Sequence, residues 1–198
     1  MSVFRNEDDR RAYLQFIGEE TERFGVEILS WCLMTNHTHF VAVPQSQDSL
    51  ARAFGEAHRR YTRMRNFAEG VRGYLFQGRF GSCVLDERHL LAAVRYVEMN
   101  PVRAGIVNEA WVYGWSSAPF HMERKKVDPL VKDRSLLGLV KDWRDFLSTS
   151  SSAMESAIRK FSRTGRPAGD ASFMGLVERM TGRDLSMGTI GRPVKSKD

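Results

Sequence analysis

The order of apolar and polar residues predicts that the chain begins with a helix followed by two strands. Apolar residues recur at helical spacing over residues 7–24, and Gly25 stands where a helix commonly ends. Residues 26–34 (VEILSWCLM) form a nearly continuous apolar run, which indicates a buried strand. After a short turn, residues 37–43 (HTHFVAV) predict the returning strand, and Pro44 terminates it.

Two further helices and a second strand pair are predicted in the middle of the chain. Residues 48–66 show a helical pattern that is rich in arginine. Residues 74–85 are aromatic and glycine-containing, which indicates a strand-turn-strand segment. Asp86 is a typical N-cap for a third helix over residues 87–100, which Pro101 should close.

The pattern weakens in the last third of the chain. Residues 134–147 predict a short helix, and residues 148–153 (STSSSA) have the composition of a linker. Short helices are also indicated over residues 154–161 and 171–181. This part therefore predicts a small helical extension.

Composition narrows the class of protein. The 198 residues are 42% hydrophobic and 27% charged, as is typical of a globular protein. No apolar run of about 18 residues is present to cross a membrane, and the N-terminal segment lacks the apolar region of a signal peptide. Cys32 and Cys83 cannot form a disulfide framework, so we expect a cytoplasmic protein.

The net charge of +6 is concentrated in three basic clusters. Such clusters attract phosphate backbones, although each also fits a solvated surface. Arginine, which binds phosphate in a bidentate manner, dominates the first cluster. The clusters are Arg52, Arg59, Arg60, Arg63 and Arg65; Arg124, Lys125 and Lys126; and Arg192, Lys195 and Lys197.

A pair of histidines lies on the second predicted strand. His37 and His39 are two residues apart, so both imidazoles should point to the same face while Thr38 points to the opposite one. Two neutral imidazoles on one face are suitable metal ligands, but a His-x-His pair alone more often has no metal. Cys32 is better explained as a buried small apolar residue.

The third predicted helix supplies a candidate nucleophile and a candidate third metal ligand to accompany the two histidines. Tyr96 and Asn100 are four residues apart and share one helical face, away from the apolar stripe. An amide oxygen with two imidazoles leaves coordination positions for phosphate and water, which suits Mg²⁺ or Mn²⁺. Tyr96 would then be the nucleophile, with His89 as a possible assistant.

The other tyrosines are alternatives that the pattern weighs less heavily. Tyr61 lies among arginines and is the second candidate for the nucleophile, or for stacking on a base. Tyr13 fits the apolar stripe of the first helix. Tyr74 and Tyr113 lie in aromatic stretches that indicate structural roles.

Four motifs in series resemble the single-tyrosine HUH transposases, specifically their REP-associated branch. The resemblance covers roughly residues 3–120, and the series is far more specific than any single motif. The motifs are NHTHF at 36–40, FQGRF at 76–80, RYVEMNPVRAG at 95–105 and WSS at 115–117.

The resemblance implies an α+β fold, in which helices pack on one face of an antiparallel β-sheet in a ferredoxin-like or RRM-like arrangement. A catalytic domain over residues 1–121 and a helical, basic C-terminal extension over residues 122–198 are expected. Family members usually carry a strand ahead of the segment that matches Val3–Asn6, and we expect that strand to be absent here.

The resemblance also implies roles for individual residues. His37, His39 and Asn100 would be metal ligands, and Tyr96 would form a 5′-phosphotyrosine with DNA. The substrate would be single-stranded DNA bearing imperfect hairpins, bound by a monomer or a homodimer. The residues expected to bind this DNA are Arg52, Arg59, Arg60, Tyr61, Arg63, Gln77, Arg79 and Arg103.

Two rival hypotheses stay open at this point. One is a relative that holds DNA hairpins without cutting them. The other is a metal-dependent phosphoesterase in which water is the nucleophile, so that Tyr96 would be dispensable. We expect a transposase that cuts and rejoins DNA strands through the tyrosine.

Overall fold

A computed structural model describes residues 2–149 and 152–185 of the chain. It contains helices and one antiparallel pair of strands, with two short 3₁₀ turns at Ala110–Val112 and Ser135–Leu139. The strands and helices in chain order are α1 (Glu7–Arg23), β1 (Val26–Leu33), β2 (Thr38–Pro44), α2 (Ser49–Glu69), α3 (Glu87–Glu98), α4 (Asn100–Arg103), α5 (Ala118–His121), α6 (Trp143–Ser148), α7 (Ser152–Thr164) and α8 (Ala171–Thr181).

The sheet pairs β1 with β2, and a later segment extends it by a single bridge. Leu33 of β1 pairs with Thr38 of β2, close to the turn. On the other edge of β1, the Leu33 amide donates to Trp115 O (2.9 Å) and the Ser117 amide donates to Trp31 O (3.0 Å). The motif at 115–117 therefore lies beside the central strand, which its sequence did not indicate.

The two faces of the sheet carry two separate apolar cores. On one face, Ile28 and Trp31 of β1 and Phe40 of β2 pack with α1 and α2. On the other face, Cys32 of β1 and Val41 of β2 pack with α3. A register irregularity directly after Ile28 inserts one residue, which keeps Ile28 and Trp31 on the same face. The predicted α+β class is confirmed, but the expected packing of helices on one face is wrong, because α1 and α2 cover one face of the sheet and α3 covers the other.

The first two helices lie where their patterns predict, although α2 extends three residues further, to Glu69. Asn6 caps α1 by accepting a hydrogen bond from the Asp9 amide, and Gly25 follows its end at φ +64°. Along α2, Ala53, Ala57 and other residues at helical spacing are buried against α1. The helix ends at Gly70, which is left-handed.

The predicted strand-turn-strand over residues 74–85 is wrong. The segment is a loop that packs two of its aromatic side chains onto α2. Phe76 stacks on His58 with ring centroids 4.0 Å apart, and Phe80 lies 5.3 Å from Phe54. Apolar residues that suggested a strand are used as anchors at irregular spacing, so no alternating face exists to pair.

The C-terminal extension packs directly on α3, the helix that carries Tyr96. Ile158 of α7 and Leu147 of α6 belong to the same core as Val94 of α3. The predicted short helices are confirmed as α7 and α8, whereas residues 134–147 form a 3₁₀ turn and then α6. In the described part of the chain, no helix has the length and apolar character needed to span a membrane.

Candidate active site

The two histidines of the motif at 36–40 lie together at the start of β2. The centroids of the His37 and His39 rings are 4.8 Å apart, with the ring planes nearly perpendicular. His39 pairs with Cys32 across the sheet and faces α3. Thr38 faces the opposite side, where its hydroxyl interacts with Tyr13. The period of two along the strand thus produces the arrangement that the sequence predicts.

Both imidazoles are neutral near neutral pH. Burial lowers the pKa of His37, and burial, with smaller electrostatic contributions from neighbouring His37 and Arg103, lowers the pKa of His39 to about 4. Asn36 Oδ1 lies 2.7 Å from His37 Nδ1 and fixes that ring, which directs Nε2 away from the amide. No role was predicted for Asn36, although it is the first residue of the motif at 36–40.

Tyr96 reaches the same place from α3. Its ring lies 5.8 Å from the His39 ring, edge to face. On its other side, the guanidinium carbon of Arg103 lies 4.2 Å from the centre of the Tyr96 ring. The structure therefore brings the predicted nucleophile next to the histidine pair and places a cation over its ring.

Asn100 has a structural role at the end of α3. Its Nδ2 donates to Tyr96 O (3.1 Å) and to Val97 O (3.4 Å). Arg103 also donates to Tyr96 O. These side chains satisfy carbonyls that a helix end otherwise leaves without partners. Because both Asn100 hydrogen bonds use Nδ2, its Oδ1 is the atom that a metal would use.

The donor set fits a weakly held divalent cation with open positions. Among the residues described, no three His, Cys, Asp or Glu side chains come together as a metal site. His37 and His39 supply two neutral nitrogens, and Asn100 is the further candidate ligand. A cation held this way needs oxygen atoms from substrate or water to complete its shell, which suits Mg²⁺ or Mn²⁺.

Glu98, two residues after the tyrosine, anchors the end of α3 in the protein interior. It is fully buried. Its Oε1 accepts hydrogen bonds from Ser117 Oγ (2.6 Å), His121 Nδ1 and Ser30 Oγ (3.4 Å), and its Oε2 accepts from Trp143 Nε1 (3.0 Å). One carboxylate thus ties α3 to the sheet, to the motif at 115–117 and to the C-terminal extension. A charge inside the apolar stripe of α3 was the available signal, and sequence reasoning missed it.

The remaining candidates for the chemistry lie elsewhere. Tyr13 is fully buried, as predicted, and the Tyr113 hydroxyl donates to Leu33 O. Tyr74 was predicted to be structural, but it is 96% exposed. His89 binds the helix cap Asp86 (2.6 Å) about two turns before Tyr96, so it does not assist the tyrosine.

Tyr61 was the second candidate for the nucleophile and an expected DNA contact, and both predictions are wrong. Its side chain is fully buried, and its hydroxyl donates to Val3 O (2.9 Å). The arginines around it suggested an exposed face, but Tyr61 lies on the inner face of α2 against Phe4 and Tyr13.

Most of the arginines expected to bind DNA along α2 are already paired with carboxylates. Arg52 pairs with Asp48, and Arg59 pairs with Glu56. Arg60 contacts two glutamates on α1. Arg63, Gln77 and Arg79 are exposed, whereas Arg103 lies over Tyr96. The third basic cluster, at 192–197, lies outside the described residues.

A comparison with protein families agrees with the resemblance that the sequence motifs indicate. A family model described as "Transposase IS200 like" matches residues 1–100, just over half of the 198 residues. No significant match was found among curated proteins or among solved structures. The matched region contains the histidine pair, Tyr96 and Asn100 in the predicted order. The chain belongs to the IS200-like transposase family.

Proposed function

We propose that this protein is a metal-dependent transposase that cuts and rejoins single-stranded DNA through Tyr96. The observation that carries the proposal is the placement of the Tyr96 ring between His39 and Arg103. Membership of the transposase family supports strand cleavage and joining as the activity. A location in the cytoplasm, with access to cellular DNA, stays a prediction.

The tyrosine is the group that would exchange bonds with DNA. Tyr96 Oη attacks the phosphorus, the bond from phosphorus to the 3′ oxygen breaks, and the phenol proton is lost while the leaving oxygen gains one. The products are a 5′-phosphotyrosine and a free 3′-OH. A later 3′-OH reverses the step and joins new ends, because the covalent bond conserves the energy of the phosphodiester.

The residues around Tyr96 have separate tasks in this scheme. His37, His39 and Asn100 would hold a divalent cation, which supplies charge stabilisation at the scissile phosphate when it is bound. Asn36 keeps His37 in one orientation. Arg103 stabilises negative charge beside the Tyr96 ring.

The substrate that the resemblance implies is single-stranded DNA with imperfect hairpins, of the REP-associated type. The decisive test compares the wild type with Tyr96→Phe on labelled hairpin DNA carrying single-stranded flanks. We expect a covalent protein–DNA adduct on denaturing gels for the wild type and none for the variant, while hairpin binding is retained.

Three outcomes of this test would contradict the proposal. Adducts that persist in Tyr96→Phe would place the nucleophile at another residue. Cleavage without an adduct in both proteins would indicate a phosphoesterase that uses water. Hairpin binding with no cleavage by the wild type would indicate the non-catalytic binding protein.

A further inference from the structure

A group of exposed side chains lies on the C-terminal half of α2 and on the loop that follows it, which runs back along α2 as far as Phe54. Two of them are aromatic and almost fully exposed, Phe67 at 92% and Tyr74 at 96%. The others are polar or charged. We call this the α2-end surface, and its members are Arg63, Phe67, Arg72, Tyr74, Gln77 and Arg79.

The arginines of this surface differ from those earlier on α2. The side chains of Arg52, Arg59 and Arg60 form ion pairs with carboxylates. Within residues 2–149 and 152–185, Arg63, Arg72 and Arg79 form no ion pair. Along α2 and the loop that follows it, the arginines without an ion pair in the described structure are therefore the later ones.

The loop that carries Tyr74 is held in place at both ends. Asn66 Nδ2 donates to Gly73 O (2.8 Å), so Phe67 and Tyr74 directly follow two residues that are in contact. Further along, Phe76 stacks on His58 at 4.0 Å. The loop packs the Phe76 ring against α2 and leaves the Tyr74 ring in solvent.

We propose that the α2-end surface binds the unpaired bases of single-stranded DNA, with Phe67 and Tyr74 as stacking partners and the three arginines as phosphate contacts. Exposed aromatic rings between free cations are the combination that single-stranded nucleic acid requires, since every base has a face to stack and every linkage carries a charge. This inference rests on the proposed function for its choice of DNA as the polymer.

The chemistry of the surface argues against duplex DNA and against a second copy of the chain as its occupant. Paired bases in a duplex are already stacked and offer no free face to Phe67 or Tyr74. In a dimer formed through this face, the three arginines of one copy would face the three arginines of the other. Repulsion between these like charges opposes such self-association. Unpaired bases in a hairpin loop, a bulge or a flank meet neither obstacle.

The test measures binding in EDTA, so that no cleavage intervenes, with the full-length wild type and the double variant Phe67→Ala/Tyr74→Ala. The probes are oligo(dT), an abasic oligonucleotide of the same length, and a blunt duplex. We expect the double variant to lose at least about fivefold in affinity for oligo(dT), because one aromatic contact contributes that much or more. Affinity for the abasic strand should be unchanged.

A matched control is Val127→Ala, which removes a side chain that is 79% exposed outside this surface. It should leave all three affinities unchanged. Circular dichroism should show native helix content in every variant, since Phe67 and Tyr74 contribute almost nothing to the core. Equal affinity of wild type and double variant for oligo(dT) would overturn the proposal.

Two further measurements test the phosphate contacts and distinguish DNA binding from self-association. Arg72→Ala should lower the salt dependence of oligo(dT) binding by about 0.7 in log–log slope, as expected for one lost phosphate contact. A change in the sedimenting mass of DNA-free protein caused by Phe67→Ala/Tyr74→Ala would instead identify a self-association face and overturn the proposal. Because adduct formation by Tyr96 is assayed independently, failure here leaves the proposed chemistry standing, and the reverse also holds.

Discussion

The Arg103 guanidinium lies 4.2 Å from the centre of the Tyr96 ring and also donates a hydrogen bond to the Tyr96 carbonyl. Sequence reasoning expected Arg103 to bind DNA directly. Its contacts link the proposed nucleophile to α4, seven residues further along the chain, and its binding to DNA stays a prediction. Burial lowers the pKa of Arg103, whereas the nearby Tyr96 raises it. This pair is the most specific target for testing how the site is organised.

Replacing Arg103 by alanine should slow adduct formation about tenfold, because the guanidinium would stabilise the charge of the transition state by about 1.4 kcal/mol more than that of the ground state. Arg103→Lys should recover part of the rate, because it keeps the charge but loses the planar stacking. Single-turnover gel assays measure both. Arg144→Ala, which removes a guanidinium 5.1 Å from the Trp111 ring, is the matched control and should react at the wild-type rate. A wild-type rate for Arg103→Ala would contradict the assigned role.

The histidine pair should control metal binding as well as activity. His37→Ala combined with His39→Ala is expected to abolish both cleavage and Mn²⁺ binding, which titration calorimetry can follow without DNA. Removal of metal from the wild type with EDTA should stop cleavage, and added Mg²⁺ or Mn²⁺ should restore it. His58 lies outside the site, so the His58→Gln variant should bind Mn²⁺ as the wild type does. Undiminished Mn²⁺ binding by the double variant would place the metal elsewhere.

Glu98 should affect the rate of the reaction more than the binding of DNA. Glu98→Gln replaces one of two accepting oxygens by an amide donor, so the side chain can no longer accept hydrogen bonds from both Trp143 Nε1 and Ser117 Oγ. We expect a loss of about 1–3 kcal/mol in stability and slower adduct formation, because the end of α3 loses its anchor. Hairpin affinity should stay near that of the wild type.

The control for Glu98 is another buried carboxylate, far along the chain. Asp128 accepts hydrogen bonds from Trp31 Nε1 and from two backbone amides. Asp128→Asn should also reduce the melting temperature but leave the single-turnover rate unchanged. If both variants slow the reaction in proportion to their loss of stability, Glu98 has only a structural role.

Stability should fall as the pH is lowered from about 6.5 toward 4. Burial lowers the pKa of His58 to about 4, while an unfolded histidine titrates near 6.5. Below pH 6.5 the unfolded chain therefore binds a proton that the folded chain does not, and unfolding becomes easier. The difference corresponds to about 3 kcal/mol at pH 4. Urea unfolding of wild type and His58→Gln at pH 7 and pH 4.5 measures this, and an equal acid-induced loss in both would assign the effect to other groups.

The sequence by itself determined the elements whose pattern is local. The helical spacing of α1 and α2, the strand pair that carries His37 and His39, and the cap of α3 at Asp86 all follow from short-range periodicity and capping. The strand period placed both imidazoles on one face, and the four-residue spacing placed Tyr96 and Asn100 near each other. These relationships depend only on backbone geometry within one element.

Only the tertiary structure decided which side chains are buried and which distant residues come into contact, because both depend on how helices and strands pack together. Tyr61 and Arg63 are two residues apart on α2, yet one is buried against Tyr13 and the other is exposed. The aromatic residues of 74–85 became anchors on α2 because helix packing offered them a surface that no partner strand did. Glu98 and Ser117 meet although they are 19 residues apart. Burial and long-range hydrogen bonds are set by the whole core, so a local pattern does not contain them.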